Sequence, residues 1–461
     1  MRLLDWRIVL AILPVVFQPH WGRCETDHAK PFEIQVLDRE TGWPVPLIEL
    51  ETNHHLRFVS DNAGRIAIDA PELYGVSTWL HVRGHGYSVP ADGFGYRGLR
   101  VTPHRGQKTK VFVDREQRAL RLGRITGAGL FAESQKLGFD LDWQESGVMG
   151  CDSVQNAIYQ GKYFWAWGDT TLPSYPLGRF HMTGATTPLD QQLSITPPVK
   201  VHYQYFRGED SAPRDLAKFP GDGPTWLSGL ATLPDQQGRN KLVGSYSKIR
   251  PPMTEYESGL CVWNDQARRF DRMSVLWKLS EDDRQPMQLP SGHSSIVTGE
   301  DGERWIFFGD PLPTLKCRAE FESWSNPDRW VHLQPQKQIL TVDGSSKIEP
   351  HRGAIAWHPI VKKWVCIFTR YNGEDSFLGE IWFAMSENPE GPWHGAVKVA
   401  THDTYTFYNP QVHSPFQDGE DPILLFEATY TKTFSKAERA TSRWDYNQVL
   451  YRLNLKDVIS N

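Results

Sequence analysis

Cys151-Asp152-Ser153-Val154-Gln155-Asn156-Ala157-Ile158-Tyr159-Gln160-Gly161-Lys162-Tyr163-Phe164-Trp165-Ala166-Trp167-Gly168-Asp169-Thr170 is the stretch that decides the fold. A carboxylate opens it, a strand follows, Gln160-Gly161-Lys162 makes a tight turn, and an aromatic strand returns to Gly168-Asp169-Thr170. Two strands joined by a short Gly-containing loop read as a β-hairpin. Both ends of a hairpin lie on one rim, so Asp152 and Asp169 are expected near each other.

Weaker copies of the hairpin recur downstream. Their returning strands are Tyr163 to Trp167, Lys241 to Tyr246, Arg304 to Phe308, Lys363 to Phe368 and Ile423 to Glu427. After the first interval the pitch is about 60 residues, and a fixed period is the mark of a repeat architecture. Turns precede the later copies at Pro234 to Gly238, Gly299 to Gly302, Pro359 to Lys362 and Asp418 to Asp421, and outer strands follow at Gly379 to Ala384 and Asn447 to Leu453. Four strands per repeat around an axis make a β-propeller, and five copies make five blades, expected over residues 150–461.

Residues 30–116 read as a small β-sandwich: Phe32 to Leu37 alternates, Asp38 to Gly42 turns, Pro44 to Leu50 is a second strand, Asp61 to Arg65 turns again, and Trp79 to Arg83 is a further strand. Residues 117–149 are expected to connect the two parts, with Ala119 to Phe131 either a plain connector or a strand that pairs with the last blade. The expected fold class is all-β, an N-terminal β-sandwich followed by a five-bladed β-propeller.

Composition narrows the function. Of 461 residues, 18 are Trp, 16 Tyr and 22 Phe, an aromatic supply that suits both propeller cores and the C–H faces of sugar rings. A formal net charge of −5 provides no basic field for nucleic acid. Arg2 and Arg7 flank the start of an apolar run, Ile8 to Phe17, too short to span a bilayer, so residues 1–24 read as a signal peptide and the protein as secreted or periplasmic, without stable membrane insertion. The five cysteines, Cys24, Cys151, Cys261, Cys317 and Cys366, form no Cys-x-x-Cys pair; the last four sit in or beside apolar strands and read as buried hydrophobes.

Two resemblances follow from these residues. Ser386-Glu387-Asn388-Pro389-Glu390-Gly391-Pro392-Trp393, after the strand Ile381 to Met385, resembles the outer-blade motif of five-bladed propeller glycosidases of the arabinanase, xylosidase and neoagarobiose hydrolase type. The segment with Asp38 to Gly42, Pro44-Val45-Pro46, Ser60 to Gly64 and Gly86-Tyr87 resembles the carboxypeptidase-regulatory or transthyretin-like sandwich, which implies a positioning rather than a chemical role. The first resemblance implies an Asp at the start of the first inner strand, here Asp152, as the ionised partner in glycoside hydrolysis. It also implies a histidine acid in the neoagarobiose hydrolase manner, with His351 as the analogue. The chain departs from the arabinanase pattern at Ser228 and His293, where acids would stand.

In a propeller the innermost strands begin at one rim. Five segments are expected there: Cys151 to Ser153, Trp226 to Gly229, Gly292 to Ser295, Glu349 to Gly353 and Asn409 to His413, with Asp169, Lys248, Asp310, Arg370 and Tyr430 brought back to it. Glycoside hydrolysis needs one protonated and one ionised carboxyl. Asp152 is the candidate for the second; Glu349, Glu257 and Glu427 compete for the first, beside His351, with Tyr256-Glu257-Ser258-Gly259 read as a loop leading to an outer strand. The plainer reading of Asp152 is a turn cap or an ion pair with Arg352. Asp169 and Asp310 occupy equivalent hairpin ends, which favours turn capping for both. Trp226, His293, Asp310, Arg352, Arg370, Asn409, His413 and Tyr430 are candidate substrate contacts, the two arginines as bidentate clamps or as inter-blade ion pairs. His293, His351 and His413 match no compact metal motif, so no metal or cofactor is assigned, although a structural cation in the channel is compatible with the architecture. Lys432, Arg443 and Tyr446 are candidates as a group on the long stretch Tyr430 to Tyr446. The expected activity is glycoside hydrolysis on a polysaccharide or oligosaccharide. A non-catalytic carbohydrate-binding propeller and a polysaccharide lyase with a His or Tyr base are the alternatives.

Overall fold

The computed structural model describes residues 30–189, 196–282, 285–299, 301–374, 376–402, 404–413 and 421–459. The expected signal peptide with Cys24, and Asp418 to Glu420 of the last turn, lie outside the described residues.

Alternation in Phe32–Asp38 buries Phe32, Ile34 and Val36 and leaves the residues between them half-covered, the pattern of a sheet with one packed face. This strand lies between Arg65–Ile68 and Lys108–Arg115, with Tyr87–Ser88 beyond. A second sheet places Glu49–Thr52 between Arg57–Val59 and Thr78–Arg83, with Gly98–Val101 outside. Ile34, Val36, Ile66 and Val113 of the first sheet meet Leu50 and Leu80 of the second in one core. The second strand starts at Glu49 rather than Pro44. Pro44 and Pro46 have no N–H to donate to a ladder, and Leu47 sits at φ 56°, outside strand geometry.

Among the described residues, there are five further four-stranded antiparallel sheets, four of them built in chain order from inside to outside. Their innermost strands are Val154–Tyr159, Thr225–Pro234, His293–Thr298, Pro350–His358 and Thr406–Val412. Each of these touches the next, and Thr406–Val412 returns to Val154–Tyr159, which closes a ring of blades. The hairpin that opens the repeat turns at Gln160 (φ 49°) and Gly161 (φ 70°) between the paired Tyr159 and Lys162. Two successive positive φ values fit a tight turn whose twist matches that of the strands. Each blade is packed on both faces, so the second strand loses its alternation: every residue of Ile423–Thr431 is buried. Phe164, Phe308, Phe368 and Phe426 repeat this role in four blades, all buried. Each such ring contributes about 1.5–3 kcal/mol relative to an exposed one. The four described cysteines are buried and form no disulfide, Cys261, Cys317 and Cys366 within blade strands and Cys151 just before the first.

Of the two readings of Ala119 to Phe131, pairing with the last blade is the one found. Leu120–Arg124 pairs antiparallel with Asn447–Asn454 as the fourth strand of the blade that carries the C-terminal repeat. The same strand holds the sandwich. The buried Arg121 reaches out of it, and its guanidinium donates to the carbonyls of Pro46, Leu47, Gly84 and His85 at 2.5–3.2 Å, 5.0 Å from the Tyr87 ring. The buried Asn62 amide donates to the Arg124 carbonyl at 2.8 Å and accepts from its N–H at 2.9 Å. Among the described residues, no helix is long and apolar enough to cross a membrane.

Candidate functional site

Gly150–Cys151 pairs with Thr170–Leu172, whereas Val154 pairs with Trp167 in the first blade. The ladder is therefore interrupted where Asp152-Ser153 faces Gly168-Asp169. Ser153 takes φ 29°, the Asp152 N–H donates to the Asp169 carbonyl at 3.0 Å, and the Gly168 N–H is shared between the carbonyls of Asp152 and Ser153 at 3.2 and 3.1 Å. The interruption turns both aspartates toward the rim at the start of the inner strands.

Asp152 is only 8% exposed. Its Oδ2 accepts from the Tyr446 hydroxyl at 2.8 Å and from the Tyr408 hydroxyl, while the buried Oδ1 has no hydrogen-bond partner. Burial raises the Asp152 pKa above the ordinary carboxylate value, against the two phenol donors, which favour the anion. Asp169 is less covered, and its Oδ1 accepts from the Trp226 indole N–H at 3.3 Å. Burial, and then the charge of Asp152, push Asp169 up to about 7. Two carboxyls this close do not ionise independently: the first charge raises the cost of the second, and the pair titrates as a unit. Tyr408 and Tyr446 are held protonated, by burial and then by the Asp152 charge. Asn409, at φ 49° on a bulge, donates through its amide to the Ser153 hydroxyl and extends the network into the last blade.

Gly168 is required by this arrangement, since a Cβ on it would overlap Asp152 Oδ1. Gly168→Ala is expected to destabilise the chain by about 1–3 kcal/mol, the range for overpacking a closely fitted site, read as a fall in the denaturation midpoint at unchanged m-value.

A second group on the rim joins the third and fourth blades. Asp310 forms an ion pair with the exposed Arg352 at 2.5 Å and accepts from the Gly353 N–H at 2.8 Å. This is the inter-blade pairing anticipated for the arginine, with Asp310 rather than Asp152 as its partner. His293 stands close enough for both charges to act on it, but burial dominates and lowers it to about 4, so the ring is neutral near neutral pH. His351 is also lowered, by burial and then by Arg352. Its ring lies 5.8 Å from Tyr371 and 6.3 Å from Phe377, which are 41% and 38% exposed. These two open aromatic faces and the half-buried Trp226 are surfaces on which a sugar ring can stack.

Other expected site residues are placed elsewhere. Glu257, expected on a loop, lies within Thr254–Asn264 in the second blade; Arg272 at 2.9 Å and Lys278 at 3.4 Å pair with it, and Tyr246 donates to it at 3.0 Å. Burial pushes Glu257 up, but the Tyr246 and Arg272 contacts outweigh it, and its pKa falls below the ordinary value. A carboxyl held ionised in this way is no proton donor. Glu349 is solvent-exposed, and its backbone carbonyl accepts from Tyr371 at 3.1 Å. His413, fully buried, lies between Tyr163 at 3.1 Å and Glu427 at 2.9 Å in the packing of the last blade against the first. Neither His413 nor Glu427 reaches solvent, so His413 is not a substrate contact or a partner of His293 and His351 in a metal site. Tyr430 is likewise fully buried, stacked on Tyr405 with centroids 4.5 Å apart. Arg370 pairs with Glu374 at 3.3 Å and Glu380 at 3.5 Å, within its own blade. Among the described residues, no group of three or more His, Cys, Asp or Glu side chains could hold a metal ion.

Sequence reasoning set Asp169 below Asp152 as a turn residue and passed over Tyr408. It carried Tyr446 only as one of a group, whose other members turn elsewhere: Arg443 pairs with Glu133 at 2.6 Å and Lys432 Nζ donates to the Glu438 carbonyl at 2.9 Å. Tyr408 directly precedes Asn409, so extending that rim segment by one residue would have found it.

No protein-family model matches the chain, and no curated protein sequence does. Among solved structures it is similar to an exo-1,5-α-L-arabinanase from a bovine ruminal metagenomic library, at 11% identity over 67% of this chain and 95% of that one, with a TM-score of 0.38. It is also similar to a GH43_1 enzyme from Xanthomonas citri, at 10% identity over 66% and 86% with a TM-score of 0.35, a protein also solved with xylotriose. A third is an N-acetylgalactosamine deacetylase from F. plautii in complex with blood group B trisaccharide, at 10% identity over 73% and 94% with a TM-score of 0.38. With TM-scores below 0.5, these likenesses carry no weight for the activity of this chain; its own geometry does.

Proposed function

We propose that this protein is an exported glycoside hydrolase that acts on a polysaccharide or oligosaccharide at the rim where the inner strands begin. The observation that carries the reading is the pair Asp152–Asp169, in which one carboxyl is clamped by two phenols and its neighbour holds a proton up to about pH 7. Glycoside hydrolysis uses such a division: a carboxylic acid protonates the leaving oxygen while a carboxylate acts as base or nucleophile. Asp169 takes the first role and Asp152 the second. Trp226, Tyr371 and Phe377 supply stacking faces, and Arg352, held by Asp310, orients hydroxyls. Export rests on the apolar run Ile8 to Phe17 behind Arg2 and Arg7.

The pH dependence follows with a definite sign. Asp169 is protonated below about 7 and ionised above it, so an acid role requires turnover to fall as pH rises through about 7. Asp169→Asn is expected to remove that limb together with most of the activity.

One observation favours a second reading, a carbohydrate-binding propeller without turnover. Other candidate carboxyls are neutralised by cations, Asp310 by Arg352 and Glu257 by Arg272 and Lys278. A lyase with a tyrosine base has less support, because Tyr408 and Tyr446 are held protonated beside Asp152. A glycan panel assayed for reducing ends, for binding and for unsaturated uronates separates the three. Reducing ends released by the wild type and lost in Asp169→Asn support hydrolysis. Binding to a glycan without turnover on any overturns it in favour of the binding module.

A further inference from the structure

The far end of the central channel, opposite the carboxyl pair, is a cavity of about 590 Å³. All of the innermost strands line it, through Asn156, Thr232, Ser295, Trp357 and Gln411 among others. At about 3.3 Å per residue along the strand from Asp152, Asn156 and Ile158 lie roughly 13–20 Å from that carboxyl, so this mouth is distinct from the rim described above. Among the described residues, Arg304 is the only charged side chain in the lining.

Two features point to a ligand. Gln411 is only 8% exposed, and its Nε2 donates to Asn156 Oδ1 at 3.1 Å, leaving Gln411 Oε1 and Asn156 Nδ2 buried without partners. Exchanging O and N in both amides reverses the shared bond and again leaves one acceptor beside one donor, so the pattern is independent of how the amides are assigned. A buried polar atom without a partner is costly, and a bound group that supplies the missing bonds removes that cost. The second feature is Trp357 at the mouth, 43% exposed, with the buried Trp364 ring 5.9 Å behind it.

We infer that this mouth is a second binding site, for a neutral sugar unit: rotation of the Gln411 and Asn156 side chains opens their free amide atoms to the cavity, where a vicinal diol donates to Gln411 and accepts from Asn156 while the C–H face of the ring covers Trp357. Neither site depends on the other, so this site stands whether or not the carboxyl pair hydrolyses glycans. A sugar held here would anchor a polysaccharide to the face opposite the chemistry.

The test uses the full chain labelled with ¹⁵N, with the Trp357 indole N–H resonance assigned by its disappearance in Trp357→Ala, a change that removes an exposed ring. D-xylose, D-galactose and L-arabinose are titrated in turn. At least one sugar is expected to shift that resonance saturably, with affinity about tenfold weaker in Gln411→Leu, a loss equivalent to one good polar contact, and unchanged in Asp169→Asn. The inference is overturned if none of the three sugars moves the Trp357 resonance, if Gln411→Leu binds as tightly as the wild type, or if Asp169→Asn abolishes the shift. A Gln411→Leu protein that does not fold leaves the first and third outcomes to decide.

Discussion

Asp152→Asn is expected to lower kcat/KM on the glycan that the wild type cleaves by about a hundred- to ten-thousandfold, the range for loss of a positioned proton-transfer group, while the protein remains folded. Asparagine has nearly the shape of aspartate, and its carbonyl oxygen can still accept from Tyr446 and Tyr408 as Asp152 Oδ2 does. What disappears is the negative charge. That charge is the second cause, after burial, of the raised Asp169 pKa. Two readouts should therefore move together: the rate falls, and the pH at which the residual rate declines shifts below about 7. A purely structural role for Asp152 would alter the melting temperature without moving the pH profile. Unchanged turnover in a folded Asp152→Asn protein would remove Asp152 from the mechanism.

Arg121→Ala is expected to cost about 3–5 kcal/mol of stability, measured as a fall in ΔG from chemical denaturation. Arg121 is a buried cation whose guanidinium donates to four backbone carbonyls of the sandwich. Removal leaves those carbonyls unsatisfied in a dry interface, at about 1–3 kcal/mol for each one that water cannot reach. It also empties the volume of a large side chain next to Tyr87. Arg121→Lys is expected to recover part of the loss, because a single ammonium cannot span the positions that the guanidinium fork serves. A change below about 1 kcal/mol in the alanine protein would mean that the sandwich is held chiefly by other contacts, such as the Asn62 amide on Arg124.

The sites that sequence reasoning located and those it missed differ in how far apart their partners lie along the chain. Asp152 and Asp169 end one hairpin, and period-two patterning with a turn at Gln160-Gly161 is enough to bring them together. Tyr408 and Tyr446 lie 256 and 294 residues away from Asp152. They arrive only because the ring of blades closes the last against the first, and no local pattern in either segment records that neighbour. Glu257 shows the converse: the polar run Tyr256-Glu257-Ser258 read as a loop, yet it is strand, because Arg272, Lys278 and Tyr246 satisfy the carboxylate inside the sheet. His413 and Tyr430 were placed on the rim by counting from the repeat; a bulge between Tyr408 and Gln411 and packing between blades take both into the core.

The sequence by itself determined the elements: the alternation of Phe32–Asp38, the glycine-bearing turns, the recurring aromatic strands and a carboxylate at the head of the first inner strand. Those depend on contacts a few residues apart, which spacing and residue type express directly. Only the tertiary structure decided how differently the two carboxyls are surrounded. Asp152 and Asp169 have the same side chain, and what separates them is burial, two phenols from the last blade on one and an indole from the second blade on the other. Electrostatic environment is a property of the assembled surroundings, and it exists only once the ring is closed.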